Sequence, residues 1–348
     1  IADRSMKTNR SNRRQIDENK SIKSQTDEGN TDQKWFGLSK RLQNIMQLRR
    51  FFMIEFKSLS FGDREWVTQR FLEDDRQACE YSFANNFLWS DIYGVKMAKE
   101  QGCLILQFQD EDHYCYTIPI GSGNRKGALD ALLEMEQSNH QNLVLGTLMQ
   151  SDLDWLEQNY PGQYTVETNR DDYDYVYSTE KLSSLSGRKL HGKRNHIARF
   201  KDDNNWLYRD MMPEDAAECM RLLDSWKEAE SENWNEEMEN ELHINRIALR
   251  NLADLVLDGG MLYKGGRLVA FSIGEPLNSN TYVVHIEKAI ASVQGAYPMI
   301  NQQFVLHNCQ DYTYVNREED TGDEGLRKAK LSYQPELLVE KFQARFHL

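Results

Sequence analysis

The stretch GMLYKGGRLVAFSIGEPLNSNTYVVHIEK, residues 260–288, decides the fold. It holds three runs rich in β-branched and aromatic residues: GMLYKG, RLVAFSIGE and NTYVVHIEK. Gly265-Gly266 joins the first two, a hairpin signal, because a two-residue turn matched to strand twist needs positive φ at both positions. The runs are short and predict three neighbouring strands. A helix over 296–308 follows, then the strand YTYVNRE, a short helix near 325–330 and the strand ELLVEKFQARF. Before them come a basic helix near 186–200, the strand NWLYRDM and a helix that Pro213 opens from its first turn. A further helix over 236–257 stops at Gly259-Gly260.

The same order runs upstream from Met53. MIEFKSLS alternates like a strand, 62–80 reads as a helix, and SFANNFLWSDIYG is helical or irregular up to Gly94. Three strands follow, VKMAKE, CLILQFQ and HYCYTIPIG, the last with Tyr114, Tyr116, Ile118 and Ile120 on one face. Next come a helix over 125–138, the strand NLVLGTLM, a helix capped at Ser151 with Asp154 three residues on, and the strand YTVETNRDDYDYVYS. Each half reads strand, two helices, three strands, helix, strand, helix, strand. The repeat is one of architecture, with no motif repeated residue by residue. The fold class is α/β with mixed sheets, in two halves over 53–180 and 181–348. An antiparallel start with a central α/β crossover resembles the GNAT type of acyltransferase. The pattern alone also fits other three-layer α/β folds.

Length and charge bound the function. The 348 residues suggest two domains, and 39% hydrophobic content excludes a wholly disordered chain. No apolar run approaches a membrane span. A net charge of −13 argues against general adhesion to nucleic acid or anionic lipid. The charge is uneven: residues 1–52 carry twelve Lys+Arg against six Asp+Glu, whereas 53–348 carry 30 against 49, a net −19. The first 52 residues are polar and aperiodic up to the basic amphipathic stretch WFGLSKRLQNIMQLRRFF. They read as a disordered tail with a docking helix, or as upstream sequence ahead of a start at Met53; nothing in them reads as a signal peptide. The five cysteines show no CxxC and no zinc spacing, which predicts reduced thiols in a cytoplasmic protein.

Four segments go beyond pattern: CEYSFANNFLWSDIYG (79–94), LSGRKLHGKRNHIARF (185–200), HIEKAIASVQGAYPMINQQF (285–304) and YVNREEDTGDEGLRKAKLSYQPELLVEKF (314–342). Together they resemble the soluble bacterial family related to the C-terminal domain of phosphatidylglycerol lysyltransferase. That family is a tandem-GNAT relative of the Fem-type aminoacyltransferases. The resemblance covers 53–348 and implies transfer of an aminoacyl group from a charged tRNA to an amine or hydroxyl of a lipid or cell-wall precursor. It implies no cofactor. Gly325-Leu326-Arg327-Lys328-Ala329-Lys330-Leu331-Ser332-Tyr333 is similar to the Fem-type Gly-Leu-x-x-Phe-Lys-x-x-Phe, with Ala329 in place of the aromatic. On that match Lys330 is expected to stabilise the oxyanion of the transfer.

The residues add their own chemistry. Arg188, Lys189, Lys193, Arg194, Arg199 and Lys201 have no acid among them, while Leu190, Ile197 and Phe200 share one helical face. Such a helix packs by that face and offers cations to phosphate, of a tRNA or of an anionic lipid surface. A structural role, pairing with acids of the other half, fits the same residues. His285 and Glu287 share a strand face, with Lys288 opposite. Glu287 or Asp320 is the expected proton acceptor. His285, Lys288, Tyr297, Asn301 and Arg317 are the expected substrate contacts. Ser292, Gly295 and Tyr297 depart from the Arg/Gln-x-x-Gly-x-Gly/Ala loop that cradles coenzyme A, which argues against the alternative of an acetyl-CoA-dependent N-acetyltransferase. A non-catalytic module for a phosphorylated ligand is the reading outside enzymes. Asp110-Glu111-Asp112-His113 reads as a solvated turn, and no metal site is expected.

Overall fold

A computed structural model describes residues 53–110 and 113–347. The amphipathic stretch 35–52, and Glu111-Asp112 of the acidic turn, lie outside the described residues. The first half contains β1 (Lys57–Ser58), α1 (Arg64–Asp74), α2 (Phe83–Leu88), α3 (Ser90–Tyr93), β2 (Lys96–Glu100), β3 (Cys103–Asp110) and β4 (His113–Tyr116). It continues through α4 (Arg125–Ser138), β5 (Val144–Leu148), α5 (Gln150–Asn159), β6 (Tyr164–Thr168) and β7 (Asp174–Ser178). The second half begins with α6 (Thr179–Ser184), α7 (His191–Lys201), β8 (Trp206–Asp210), α8 (Ala216–Ala229), α9 (Glu236–Arg250) and α10 (Leu252–Leu255). It ends with β9 (Asp258–Lys264), β10 (Arg267–Pro276), β11 (Thr281–Ala289), α11 (Ala296–Asn308), β12 (Tyr314–Asn316), α12 (Glu324–Leu331), β13 (Leu337–Val339) and β14 (Phe342–Phe346).

Local chemistry explains the borders. Gly265 and Gly266 both have positive φ, 59° and 74°, and turn β9 into β10. Asn124 caps α4 by accepting from the Gly127 N–H at 3.0 Å. The start of α5 differs from expectation: Met149 is the cap residue, and Asp152, not Asp154, accepts from its N–H at 2.9 Å. Asp152 also pairs with Arg76, so a buried ion pair sets the helix start.

The strands form two seven-stranded mixed sheets in matching order: β1-β2-β3-β4-β5-β14-β6 and, from the same edge, β8-β9-β10-β11-β12-β7-β13. This is the tandem GNAT-like fold. Each sheet takes its sixth strand from the other half, β14 in the first and β7 in the second. A cut at 180/181 therefore does not separate the sheets. YTVETNRDDYDYVYS is two strands in different sheets, and so is ELLVEKFQARF. One apolar cluster draws on both halves, with Val67, Phe71, Leu88 and Leu104 packed alongside Leu223, Leu249, Phe271 and Ile286. At about 1.5–3 kcal/mol per buried large side chain, this shared core ties the halves together. Among the described residues no helix is long and apolar enough to cross a membrane.

Candidate functional site

The exchanged strands cross at a charged cluster. Asp174 begins β7, and Lys341 lies between β13 and β14. The Lys341 Nζ is 2.7 Å from Asp174 Oδ1, 2.7 Å from Glu80 Oε1 and 3.6 Å from Glu319 Oε2. The Cys79 N–H and the Asn316 Nδ2 each donate to Asp174 Oδ2 at 2.8 Å. Burial pushes Asp174 up to about 7, with Glu80 and Glu319 adding to it and Lys341 opposing. Glu319, despite its burial, is drawn down to about 2 by Lys341 and Lys330. Burial also pushes the Cys79 thiol well up, which keeps it protonated. Cys79, Glu80 and Asp174 have ligand atoms within 4.8 Å of one another. The Lys341 ammonium already sits among them, so the group is built as an ion-pair network.

Beside this cluster lies a pocket of about 650 Å³, a size suited to a small molecule or an aminoacyl group. One wall is a face of the first sheet, with Phe108, Cys115, Thr117, Gly146, Thr147 and Phe342. Asn85 and Asn86 of α2, Tyr93 of α3 and Trp89 between the two helices also line it. Glu319, Thr321 and Lys341 close one end, and Glu80, Glu167 and Asp172 complete an acidic lining. Gly146 is needed: a Cβ there would stand 2.7 Å from Cys115 Sγ and 3.2 Å from Phe108 Cζ. Thr147 next to it has φ 54°, a strained conformation for a β-branched residue, where the β14–β5 register shifts. Strain stored against a pocket wall is common at functional sites.

In the second sheet the parallel pair of strands also parts, on the side of α11. β11 and β12 pair only from Thr281↔Tyr314 to Val283↔Asn316 and then part. Across the gap Arg317 Nη2 donates to Glu287 Oε1 at 3.0 Å, and Asn301 Nδ2 to Glu287 Oε2 at 2.8 Å. The Arg317 guanidinium lies over the rings of Tyr333 and Tyr177, at 4.7 and 5.6 Å from their centres.

The structure brings together three of the expected residues, Glu287, Arg317 and Asn301, with Lys193 alongside through Tyr333. Glu287 is thus paired with Arg317 and Asn301 and makes no ion pair with the basic helix among the described residues. His285 forms a different group, its two nitrogens 3.1 Å from Glu275 and 2.8 Å from Glu318. Burial disfavours its charge, but the two carboxylates raise it to about 10, so it is an imidazolium. Lys288 lies on the opposite face, 2.6 Å from Glu241 and over the Trp226 ring. Tyr297 projects from the first turn of α11 and is 38% exposed.

Lys330 does not offer a free ammonium. It donates to the carbonyls of Arg317 (2.7 Å), Glu318 (3.1 Å) and Glu319. An ammonium has three protons, and three carbonyls use them. Lys330 therefore shapes the turn that presents Glu319, in which Glu318 has φ 58°. Asp320 is also unsuited to take a proton. It is fully buried, accepts from Tyr175 and Arg327, and is held far below the usual carboxylate range. Ile197 and Phe200 of α7 are buried, as their spacing predicts. Arg194 donates to the carbonyls of Leu185 and Gly187, a tether rather than a free cation. Arg188 and Lys189 are exposed. Gly295 has φ 84°, and a Cβ on it would meet the His196 carbonyl at 2.4 Å. The loop before α11 is packed on α7 at that point.

Sequence reasoning missed Cys79, Glu80, Asp174, Glu319 and Lys341 as a group. All but Asp174 fall inside the segments 79–94 and 314–342. Their convergence follows from the strand exchange, which periodicity does not encode. For Asp174 the available signal was an acid heading an otherwise aromatic strand.

The family described as phosphatidylglycerol lysyltransferase, C-terminal, matches residues 74–345. A crystal structure of a conserved protein of unknown function from Bacteroides thetaiotaomicron is 36% identical with a TM-score of 0.81, covering 85% of this chain and 100% of that one. The C-terminal domain of a putative lysylphosphatidylglycerol synthetase from Agrobacterium fabrum shares the fold at 12% identity and a TM-score of 0.58, over 82% of this chain and 92% of that one. An uncharacterized protein of Mycoplasmoides gallisepticum is 25% identical over 251 residues, 67% of this chain and 77% of its own length.

Proposed function

The chain belongs to the phosphatidylglycerol lysyltransferase C-terminal family, and from that premise we propose that it moves an aminoacyl group from a charged tRNA to an amine or hydroxyl acceptor on a lipid or cell-wall precursor. The observation that carries the reading is the acid-lined pocket at the strand crossing. An aminoacyl ester brings an ammonium, and Glu80 and Glu319 offer it carboxylates at the pocket's end. Trp89, Tyr93 and Phe108 supply apolar walls for its stem. The acceptor's lone pair forms the new bond to the acyl carbon, the ester C–O bond to the ribose breaks, and the acceptor's proton passes to the leaving oxygen. Lys341, only 5% exposed and shared among Asp174, Glu80 and Glu319, holds those carboxylates at the pocket rather than offering a free ammonium. Asp174, hydrogen-bonded behind Lys341 and titrating near 7, would position that ammonium and tune its charge environment.

The Val293 and Ala296 N–H groups of the loop before α11 donate to the Ile290 and Val293 carbonyls, which supports a donor other than coenzyme A, since a pyrophosphate needs free N–H groups there. Arg188 and Lys189 are the proposed contacts to RNA phosphate.

The test is transfer of radiolabelled amino acids from a mixed aminoacyl-tRNA pool into membrane lipid or cell-wall precursor. The wild-type chain should transfer label, and Glu319→Gln, assayed below its own reduced melting temperature, should lower transfer by roughly 10–100-fold, the loss of one charge-assisted contact to the substrate ammonium. No transfer from any aminoacyl-tRNA, or full activity in Glu319→Gln, would contradict the reading.

A further inference from the structure

The closed parting between β11 and β12 carries a feature that its ion pair does not explain. Arg317 Nη1 and Asn301 Oδ1 are both buried with no hydrogen-bond partner among the described residues. They flank the same carboxylate, Glu287, which already accepts from Arg317 Nη2 and Asn301 Nδ2. Asn301 is 1% exposed, so its bare oxygen faces no bulk water. Leaving a buried polar atom unpaired is costly, and two such atoms beside one carboxylate call for a partner that completes the site.

The orientation of Asn301 is fixed. Turning its amide over would set Oδ1 against the Glu287 carboxylate, so Nδ2 must face Glu287 and Oδ1 must wait for a donor. Arg317 Nη1 waits for an acceptor. Lys193 adds a second cation at the same place. Its ammonium lies 3.9 Å from the centre of the Tyr333 ring, which Arg317 also covers, and it makes no ion pair among the described residues. Lys193 and Arg317 together exceed the one charge of Glu287. The site therefore asks for an anion with acceptor oxygens for Arg317 and Lys193 and a hydroxyl for Asn301.

We propose that this crevice, formed by Arg317, Asn301 and Lys193 where β11 and β12 part, binds a phosphate monoester. In its singly charged form such a phosphate has both acceptor oxygens and one P–OH donor, which matches the three waiting groups. The crevice lies at the carboxyl ends of two parallel strands, the place where open α/β sheets commonly receive ligands. Entry requires the half-buried Lys193 stem to swing off Tyr333, a rotamer change on the solvent side. The site is separate from the transfer pocket, and its test is independent of the reaction proposed there.

The probes are inorganic phosphate and sulfate, titrated calorimetrically into the full chain at equal ionic strength. Sulfate has the same shape but lacks the O–H donor at neutral pH. Phosphate should bind, and sulfate should bind about tenfold more weakly because Asn301 Oδ1 stays unpaired. Lys193→Met should weaken phosphate by about tenfold, the loss of one charge-assisted contact, with an unchanged melting curve as control. A crystal grown in phosphate should show the anion against Arg317 and Asn301. Equal affinity for the two anions, binding indifferent to Lys193→Met, no binding, or a crystal with only a water between Arg317 and Asn301 would each overturn the proposal. The sulfate comparison needs no variant and decides the matter even if a substitution disturbs folding.

Discussion

In the first sheet, β4 and β5 meet at a single parallel pair, Tyr116↔Leu145, and small groups at Gly146, Cys115 and Thr117 leave a pocket on the face beside them. In the second sheet, β11 and β12 meet over three pairs, and beyond them the long side chains of Arg317 and Glu287 reach across the gap. The strand order is the same in both. The backbone therefore parts the strands at the same place in both orders; in the first sheet small side chains beside the parting leave a pocket, and in the second long side chains bridge it. A duplicated architecture does not imply a duplicated site. The loop after β12 also serves the other half: Glu319 leaves the second sheet to close the pocket of the first.

The sharpest way to break this comparison is to remove the cation at the crossing. Lys341→Met would leave Glu80, Asp174 and Glu319 without their shared counter-charge. Breaking a buried pair by removing one partner typically costs about 3–5 kcal/mol, and urea denaturation of the variant should show a loss of that order. Stability within about 0.5 kcal/mol of wild type would mean that the crossing is held by packing alone.

Lys330→Met should have the next largest effect. Three carbonyls lose a charged donor, and the expected loss is about 2–3 kcal/mol in the same denaturation experiment. Unchanged stability with abolished transfer would return Lys330 to the chemistry that the sequence resemblance assigns it.

A smaller, pH-dependent effect belongs to His285. Its folded value is raised from 6.5 to about 10, so its charge contributes stability that is full below pH 6.5 and lost as pH rises through about 10. The melting-temperature gap between wild type and His285→Gln should be widest below pH 6.5 and narrow towards pH 10. A gap that does not change with pH would mean that His285 acts only through packing.

The tandem order of elements was legible because each half carries its own periodicities and turn residues. The exchange of strands was not. In YTVETNRDDYDYVYS the break falls at the short turn Arg170–Asp172, where a charged run looks like the solvent side of one long strand. In ELLVEKFQARF the break falls at Glu340-Lys341, two charges among apolar residues, and Lys341 proves to be buried. A buried lysine cannot be told from a surface one without knowing what faces it. The resemblance rests on segments that contribute to the charged cluster, and it implies a chemical role for Lys330, whose three protons the backbone takes up. Glu287, Asn301 and Arg317 were picked out individually. Their assembly into one bonded group depends on a parting of strands that spacing does not show.

On the proposed function the aminoacyl group is held in the first half's pocket and not in the second sheet's crevice. A crystal structure with a non-hydrolysable aminoacyl-adenosine amide is the decisive experiment. The aminoacyl portion should lie in the 650 Å³ pocket, its ammonium on Glu319 and Glu80 and its stem against Trp89. An aminoacyl group seated instead between β11 and β12, with Arg317 displaced from Glu287, would contradict the proposed function.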